Sequence, residues 1–145
     1  MTDAVRNRIT VAAEPDAIME VIADFEAYPQ WQADVREVEV LETDDDGWPT
    51  RARFVVDARV VTARYTLAYT YTDDTMRWSL VEGEGLRRND GAYRLSDNGD
   101  GTTDVTYELE VEPTVRVPGV VRRQVAARIV DVALEGMKRR VESGA

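Results

Sequence analysis

The chain has 145 residues, enough for one domain over residues 1–145, and it contains neither cysteine nor histidine. Any catalysis must therefore use carboxylates, Tyr, Lys, Arg, Ser, Thr or water, because thiolates, imidazole bases and the usual zinc ligands are excluded. With 28 acidic against 18 basic residues, the net charge of −10 disfavours nucleic acid and anionic lipid headgroups as partners.

The sequence also bears on location. Its N-terminal residues lack the basic and apolar segments of a signal peptide. No stretch approaches the ~20 consecutive apolar residues of a membrane-spanning helix, so no integral membrane segment is predicted. We therefore expect a soluble, cytoplasmic protein. The sequence does not set the oligomeric state, and a homodimer is compatible with it.

The first predicted element is a short strand at residues 5–12, followed by an amphipathic helix that begins at Pro15, since proline suits the first helical turn. Pro29 ends this helical region. Just beyond it, Trp31 is predicted to fasten the first helices to the sheet rather than to cover a cavity. The apolar residues of the helix recur at helical spacing: Ile18, Val21, Ile22 and Phe25.

From about residue 35 to residue 112, apolar residues alternate with polar ones in six segments. Turn-rich sequences separate them at residues 44–47, 72–75, 82–85 and 97–101. One apolar and one polar face is typical of an antiparallel sheet with one side on a core, and a slip by one residue would bury the polar side chains. The register predicted for one strand pair places these residues opposite each other: Tyr71 and Met76, Tyr69 and Trp78, Leu67 and Leu80.

After Pro118 and Gly119, about 23 residues without proline predict a C-terminal helix about 35 Å long at 1.5 Å per residue. Its basic residues lie mostly off the apolar stripe and are interpreted as a solvated face. This helix is the predicted element long enough to cover the apolar face of the sheet. We therefore predict an α+β fold, in which a curved antiparallel sheet of six to seven strands wraps around the C-terminal helix. Two short helices follow the first strand.

A twisted sheet curls, and one helix cannot fill its concave side along the whole length, so a cavity is predicted between them. The inward positions carry large, amphipathic side chains, which suit a flat, hydrophobic or aromatic small molecule. The alternative is that the same side chains form an ordinary filled core. The candidate cavity residues are Phe54, Val56, Tyr65, Leu67, Tyr69, Trp78, Leu80, Arg87, Asn89, Tyr93, Tyr107, Ile129, Ala133 and Met137.

A polar end of the cavity is predicted at Glu82, Arg87 and Asn89. Alternation places Arg87 and Asn89 on the face of Tyr93, and Glu82 on the face of Trp78. Arg87 could then anchor a ligand carboxylate or stabilise an enolate, with Asn89 orienting it. The alternative is an ion pair between Glu82 and Arg87 at a hairpin end, and a bulge at the neighbouring glycines would reverse the alternation.

Several segments resemble the START-like, or SRPBCC, superfamily. They are residues 24–31 (DFEAYPQW) after the amphipathic helix, residues 78–83 (WSLVEG), residues 91–95 (GAYRL) with Asp100-Gly101-Thr102 after them, and the long last helix. Within the superfamily, the chain is similar to the polyketide cyclase/dehydrase-like and coenzyme-Q-binding branches. This resemblance spans essentially the whole chain and implies a hydrophobic ligand. It does not name the ligand, because the superfamily includes lipid carriers, cyclases and hydrolases.

The expected function is binding or transport of a hydrophobic small molecule such as a lipid, a quinone or a polyketide, without a metal or cofactor. We expect at most weak catalysis, because a tyrosine with a pKa near 10 is a poor base at neutral pH. Two alternatives stay open. One is an aromatase/cyclase-type enzyme without a metal, which would use Arg87, Glu82 and tyrosines. The other is a protein-interaction module with a filled core.

Overall fold

The computed structural model of the chain describes residues 4–58 and 61–144. The predicted α+β architecture is confirmed, with seven strands, two short helices after the first strand and one long helix at the end. The elements in chain order are β1 (Val5–Val11), α1 (Pro15–Ala23), a 3₁₀-helix (Phe25–Gln30), β2 (Val35–Thr43), β3 (Pro49–Ala58), β4 (Val61–Tyr71), β5 (Thr75–Glu84), β6 (Leu86–Asp97), β7 (Thr103–Pro113) and α2 (Gly119–Glu142).

The strands form one antiparallel sheet in the order β1-β7-β6-β5-β4-β3-β2. From β2 to β7, each strand pairs with the next strand in the chain. Strand β1 pairs with β7, so β1 and β2 are the two edge strands of the sheet. Helix α2 packs against β1, β7 and α1, so it covers the apolar face of the sheet. The predicted register of β4 and β5 is confirmed for all three residue pairs, including Tyr71 opposite Met76.

A bulge in β5 reverses the alternation after Leu80. Leu67 lies opposite Leu80 but Thr66 lies opposite Glu82, so Val81 is the extra residue. Beyond this point Glu82 lies on the outer face, where it is exposed. The prediction that Glu82 shares the face of Trp78 is therefore wrong, because alternation alone does not show an inserted residue.

A second bulge, at the start of β6, moves Arg87 away from the interior. Leu86 lies opposite Pro113 and Arg88 opposite Glu112, so Arg87 is the extra residue between them. Its side chain is 66% exposed, and its Nη1 donates to Glu112 Oε1 at 3.2 Å. The predicted inward Arg87 and its pairing with Glu82 are therefore both corrected. Asn89, by contrast, faces inward as predicted.

The 3₁₀-helix is fastened to α2 by close packing at Gly136. A Cβ atom added at Gly136 would collide with the carbonyl oxygen of Trp31 and lie 3.2 Å from its ring. The Trp31 ring also packs edge-on against Tyr28, with centroids 4.8 Å apart. Trp31 was predicted to fasten the short helices to the sheet, whereas the close contact at Gly136 is with α2.

Within residues 4–58 and 61–144, no helix has the length and hydropathy that a membrane span requires. The longest helix, α2, carries charged residues along its length, such as Arg122, Arg128 and Lys138.

Candidate ligand cavity

A cavity of about 80 Å³, partly open to solvent, lies between the sheet and α2. Strands β3 to β7 provide most of its wall, and the N-terminal half of α2 and the segment after the 3₁₀-helix provide the rest. The sheet residues at its wall include inward-facing positions that alternation places on one face, such as Tyr65, Leu67 and Tyr69. The cavity forms because the sheet curves away from a single straight helix.

Ten of the fourteen candidate residues line this cavity. The four that do not are Leu80, Arg87, Ala133 and Met137. Leu80 is partly buried against the core, and Arg87 lies on the surface. Ala133 and Met137 are fully buried farther along α2, where the helix contacts the core without a gap. The ten that line it are Phe54, Val56, Tyr65, Leu67, Tyr69, Trp78, Asn89, Tyr93, Tyr107 and Ile129.

Several lining residues were not among the candidate cavity residues. Ala63, Met76, Leu109 and Val111 occupy inward positions of strands, so the same alternation could have identified them. The polar lining residues carry no such signal, because they come from a loop and from the start of α2. They are Gln32, Asp34 and Arg122.

The aromatic part of the wall is organised around Trp78. Its ring centroid lies 5.9 Å from that of Tyr69, 5.7 Å from that of Tyr93 and 5.4 Å from that of Tyr107. The indole lies directly over Gly91, where an added Cβ would collide with the ring. Gly91 on β6 therefore gives Trp78 on β5 the room to lie flat against the sheet.

A small set of neutral polar groups interrupts this aromatic wall. The indole Nε1 of Trp78 donates to Oδ1 of Asn89 at 3.0 Å, and Asn89 is only 7% exposed. Hydrogen bonding from Asn89 lowers the pKa of Tyr65, against the larger, raising effect of burial. Tyr93 is 2% exposed, and its buried hydroxyl has no hydrogen-bond partner in the part of the chain that the structure describes.

The tyrosines of the cavity are neutral at physiological pH. Burial raises the pKa of the hydroxyls of Tyr65, Tyr69, Tyr93 and Tyr107 above their ordinary value. These groups can therefore donate a hydrogen bond, but at neutral pH they neither give up a proton readily nor act as bases. The described residues include no cluster of acidic side chains that could hold a metal ion.

One rim of the cavity is polar and joins two elements. The side chains of Gln32 and Asp34 approach it from the segment before β2, and Arg122 approaches it from α2. Asp34 Oδ1 accepts a hydrogen bond from Arg128 Nη2 at 3.3 Å, and Arg140 of α2 bonds to Gln30 at 2.9 Å. These contacts hold the loop after the 3₁₀-helix against α2 beside the cavity.

A family model described as "Polyketide cyclase / dehydrase and lipid transport" matches residues 11–138. No curated protein matches the chain. Among solved structures, a START superfamily protein from Mycobacterium smegmatis is similar at 24% identity, with a TM-score of 0.89 over 98% of this chain and 99% of that one.

Two further structures have the same fold. The Zhui aromatase/cyclase from a Streptomyces species is 17% identical, with a TM-score of 0.78 over 96% of this chain and 93% of that one. A STAR-related lipid transfer protein from Xanthomonas axonopodis is 21% identical, with a TM-score of 0.75 over 96% and 85%. At such identities these structures establish the fold.

Proposed function

Because the chain belongs to the polyketide cyclase/dehydrase and lipid transport family, we propose that it binds and carries a hydrophobic small molecule between the sheet and α2. The observation that carries this proposal is the cavity beneath α2, whose wall is mainly aromatic and apolar and whose charged residues, Asp34 and Arg122, lie at one rim. Such a site suits a mostly apolar ligand of the lipid, quinone or polyketide class, because burying a charge without a partner is costly. The similarity to a lipid transfer protein supports the same class.

The size of the cavity implies that it must widen to take such a ligand. Its volume of about 80 Å³ corresponds to about two or three water molecules. An apolar cavity of about 150 Å³ is known to hold benzene, so a ring-sized ligand needs more space than this structure offers. We expect the polar rim to be the side that moves, because side-chain contacts and not strand pairing join its two elements. Its ion pair joins Arg128, whose side chain is 40% exposed, to Asp34, whose side chain is 14% exposed.

A second candidate function is an enzyme of the aromatase/cyclase type, favoured by neutral tyrosine hydroxyls beside a cavity. With Glu82 and Arg87 outside, the described wall offers hydrogen bonds from the hydroxyls of Tyr65 or Tyr93 to a ligand carbonyl, and the carboxylate of Asp34 as a base to take an α-proton. Exchange of the α-protons of acetophenone for deuterium in D2O, followed by proton NMR, tests it. Exchange that is faster with protein than with buffer supports catalysis.

The third candidate, an interaction module with a filled core, has less support. The interior retains a cavity, and the large apolar side chains that are exposed in the described chain are few and divided among three places: Leu41, Val81, and Val115 with Val120. We also propose that the acidic protein binds no nucleic acid. Its cytoplasmic location and its assembly as a homodimer stay predictions, and light scattering of the purified protein measures the oligomeric state.

Replacing Ala63 by leucine tests the binding proposal. Ala63 is 2% exposed and lines the cavity, so a leucine there projects into the free space. We expect A63L to weaken binding of naphthalene at least tenfold, measured by the change in tryptophan fluorescence. The matched control is A68L, because Ala68 lies on the outer face of the same strand. Equal naphthalene binding by both variants contradicts the assignment of the site.

A further inference from the structure

We propose that the cavity selects its ligand through neutral carbonyl oxygens, and that the hydroxyl of Tyr93 is a specificity-determining donor to one of them. This inference rests on the proposed function and names the polar chemistry of the ligand. The carbonyl subsite is defined here as Tyr65, Trp78, Asn89 and Tyr93, all of which line the cavity. Ketones, quinones and esters are the ligand classes that it fits.

Tyr93 is held in place by its ring neighbours, while its hydroxyl lacks a hydrogen-bond partner. Its ring packs against those of Trp78 and Tyr107, with centroids 5.7 and 4.6 Å away, and these contacts fix its position. Its hydroxyl is buried and has no partner among residues 4–58 and 61–144. Buried hydroxyls are nearly always hydrogen-bonded, because an unsatisfied donor costs free energy. This hydroxyl has almost no accessible surface, so a ligand oxygen reaches it once the cavity has widened and there supplies the missing acceptor.

Asn89 accepts a hydrogen bond from Trp78, which fixes the orientation of its side-chain amide. An indole nitrogen can only donate, so the contact of Trp78 Nε1 at 3.0 Å fixes Oδ1 of Asn89 as the acceptor and turns its NH2 group elsewhere. Burial raises the pKa of Tyr65, which also lines the cavity, so this hydroxyl keeps its proton and can donate a hydrogen bond.

Together these groups offer the ligand donors rather than acceptors. A carbonyl oxygen only accepts, so it satisfies such donors completely. A ligand hydroxyl would bring a further donor that also needs an acceptor, while Oδ1 of Asn89 is already bonded to Trp78. A carboxylate would bring a charge next to Tyr93, whose ring neighbours Trp78 and Tyr107 are neutral, because the charged lining residues Asp34 and Arg122 lie at the rim. The neutral carbonyl is the group that meets both conditions.

The test compares two probes of nearly the same shape, acetophenone and α-methylstyrene, in which C=O is replaced by C=CH2. The dissociation constant of each is measured for the wild-type chain and for Y93F. We expect Y93F to lower the affinity for acetophenone, relative to that for α-methylstyrene, by about three- to tenfold, because one hydrogen bond is lost. Binding of α-methylstyrene should be unchanged or stronger.

The control variant is Y71F. The hydroxyl of Tyr71 donates to the carbonyl oxygen of Pro49 at 2.5 Å, and Tyr71 does not line the cavity. We expect Y71F to leave the ratio of affinities unchanged and to lower the melting temperature. Without ligand, Y93F should raise the melting temperature by a few degrees, since it removes an unsatisfied buried hydroxyl.

The outcomes separate the two proposals. If both probes bind and Y93F leaves the ratio of their dissociation constants unchanged, the proposal of a carbonyl subsite is wrong, while the proposal of an apolar binding site stands. If neither probe binds the wild-type chain, both proposals are overturned. A shift of the Trp78 indole N–H signal in nitrogen–proton NMR spectra, larger with acetophenone than with α-methylstyrene, supports a ligand carbonyl close to the hydrogen bond between Trp78 and Asn89. An equal shift with both probes counts against that placement.

Discussion

At the scale of single residues, Trp78 links the packing of the cavity to its polar chemistry. Its ring contacts three tyrosines, while its N–H fixes the orientation of Asn89. Gly91 makes this possible, because any larger residue at that position would meet the ring and would lie 2.7 Å from the carbonyl oxygen of Glu108. The sequence identifies Trp78 as an inward residue, but nothing in it pairs Trp78 with Asn89, since that contact depends on side-chain conformation.

The buried tyrosines make the fold sensitive to high pH. Burial raises the pKa of Tyr65, Tyr93 and Tyr107 in the folded chain, so the unfolded chain loses these protons first as the pH rises above about 10. Their contribution is fully present below that pH. Above it, the free energy of unfolding falls by about 1.4 kcal/mol per pH unit for each of these tyrosines, until the pH reaches the pKa of that tyrosine in the folded chain.

Urea denaturation at about pH 8 and about pH 11, together with the ultraviolet absorbance of phenolate, measures this loss. We expect the phenolate signal of these tyrosines to appear only as the circular dichroism of the fold disappears. If all six tyrosines of the chain ionise with ordinary pKa values while the protein remains folded, the buried placement is wrong.

At the scale of elements, two bulges decide which side chains reach the cavity. The alternation in β4 and β5 predicts the register correctly from Tyr71 to Leu67. It fails beyond the extra residues Val81 and Arg87, because a bulged residue looks like any other in the sequence. Glu82 and Arg87 were therefore misplaced, whereas Asn89 was placed correctly: it lies beyond the second bulge, an even number of residues from Tyr93.

The contact between the 3₁₀-helix and α2 predicts the effect of G136A. Alanine is normally the better helix residue by about 1 kcal/mol, yet here its Cβ would collide with the main chain at Trp31. We expect a net loss of about 1–3 kcal/mol in the free energy of unfolding, as for other overpacked sites, measured by urea denaturation.

The same substitution elsewhere in α2 provides the control. At Gly119 an added Cβ would come no closer than 3.5 Å to the Arg123 side chain. We expect G119A to change the free energy of unfolding by at most about 0.5 kcal/mol. Equal effects of G119A and G136A would show that helix propensity, and not the packing of Trp31, determines the result.

At the scale of the whole molecule, the fold follows from the sequence much more completely than the site does. Six alternating segments and one long amphipathic helix allow few other arrangements. The cavity wall is partly predictable because it consists of inward strand positions. Its volume and its polar rim are not, since Gln32, Asp34 and Arg122 are brought together only by tertiary packing.

The space between the sheet and α2 is a consequence of the whole architecture. A fold that curves a sheet around one helix leaves space that either a ligand or the protein's own side chains must fill. In this chain, aromatic rings fill most of it and leave about 80 Å³. The hydroxyl of Tyr93 is buried beside this space without a hydrogen-bond partner among the described residues, and we propose that a ligand with a hydrogen-bond acceptor occupies the space.

Native mass spectrometry of the freshly purified chain, beside its A63L variant, measures whether the cavity holds a ligand. We expect the wild-type spectrum to contain a species heavier than the chain by one hydrophobic molecule. Denaturation and extraction into organic solvent should release this molecule, and A63L, which fills the cavity, should lack it. Wild-type and A63L spectra that both show the bare chain, even after incubation with naphthalene or acetophenone, would contradict the account.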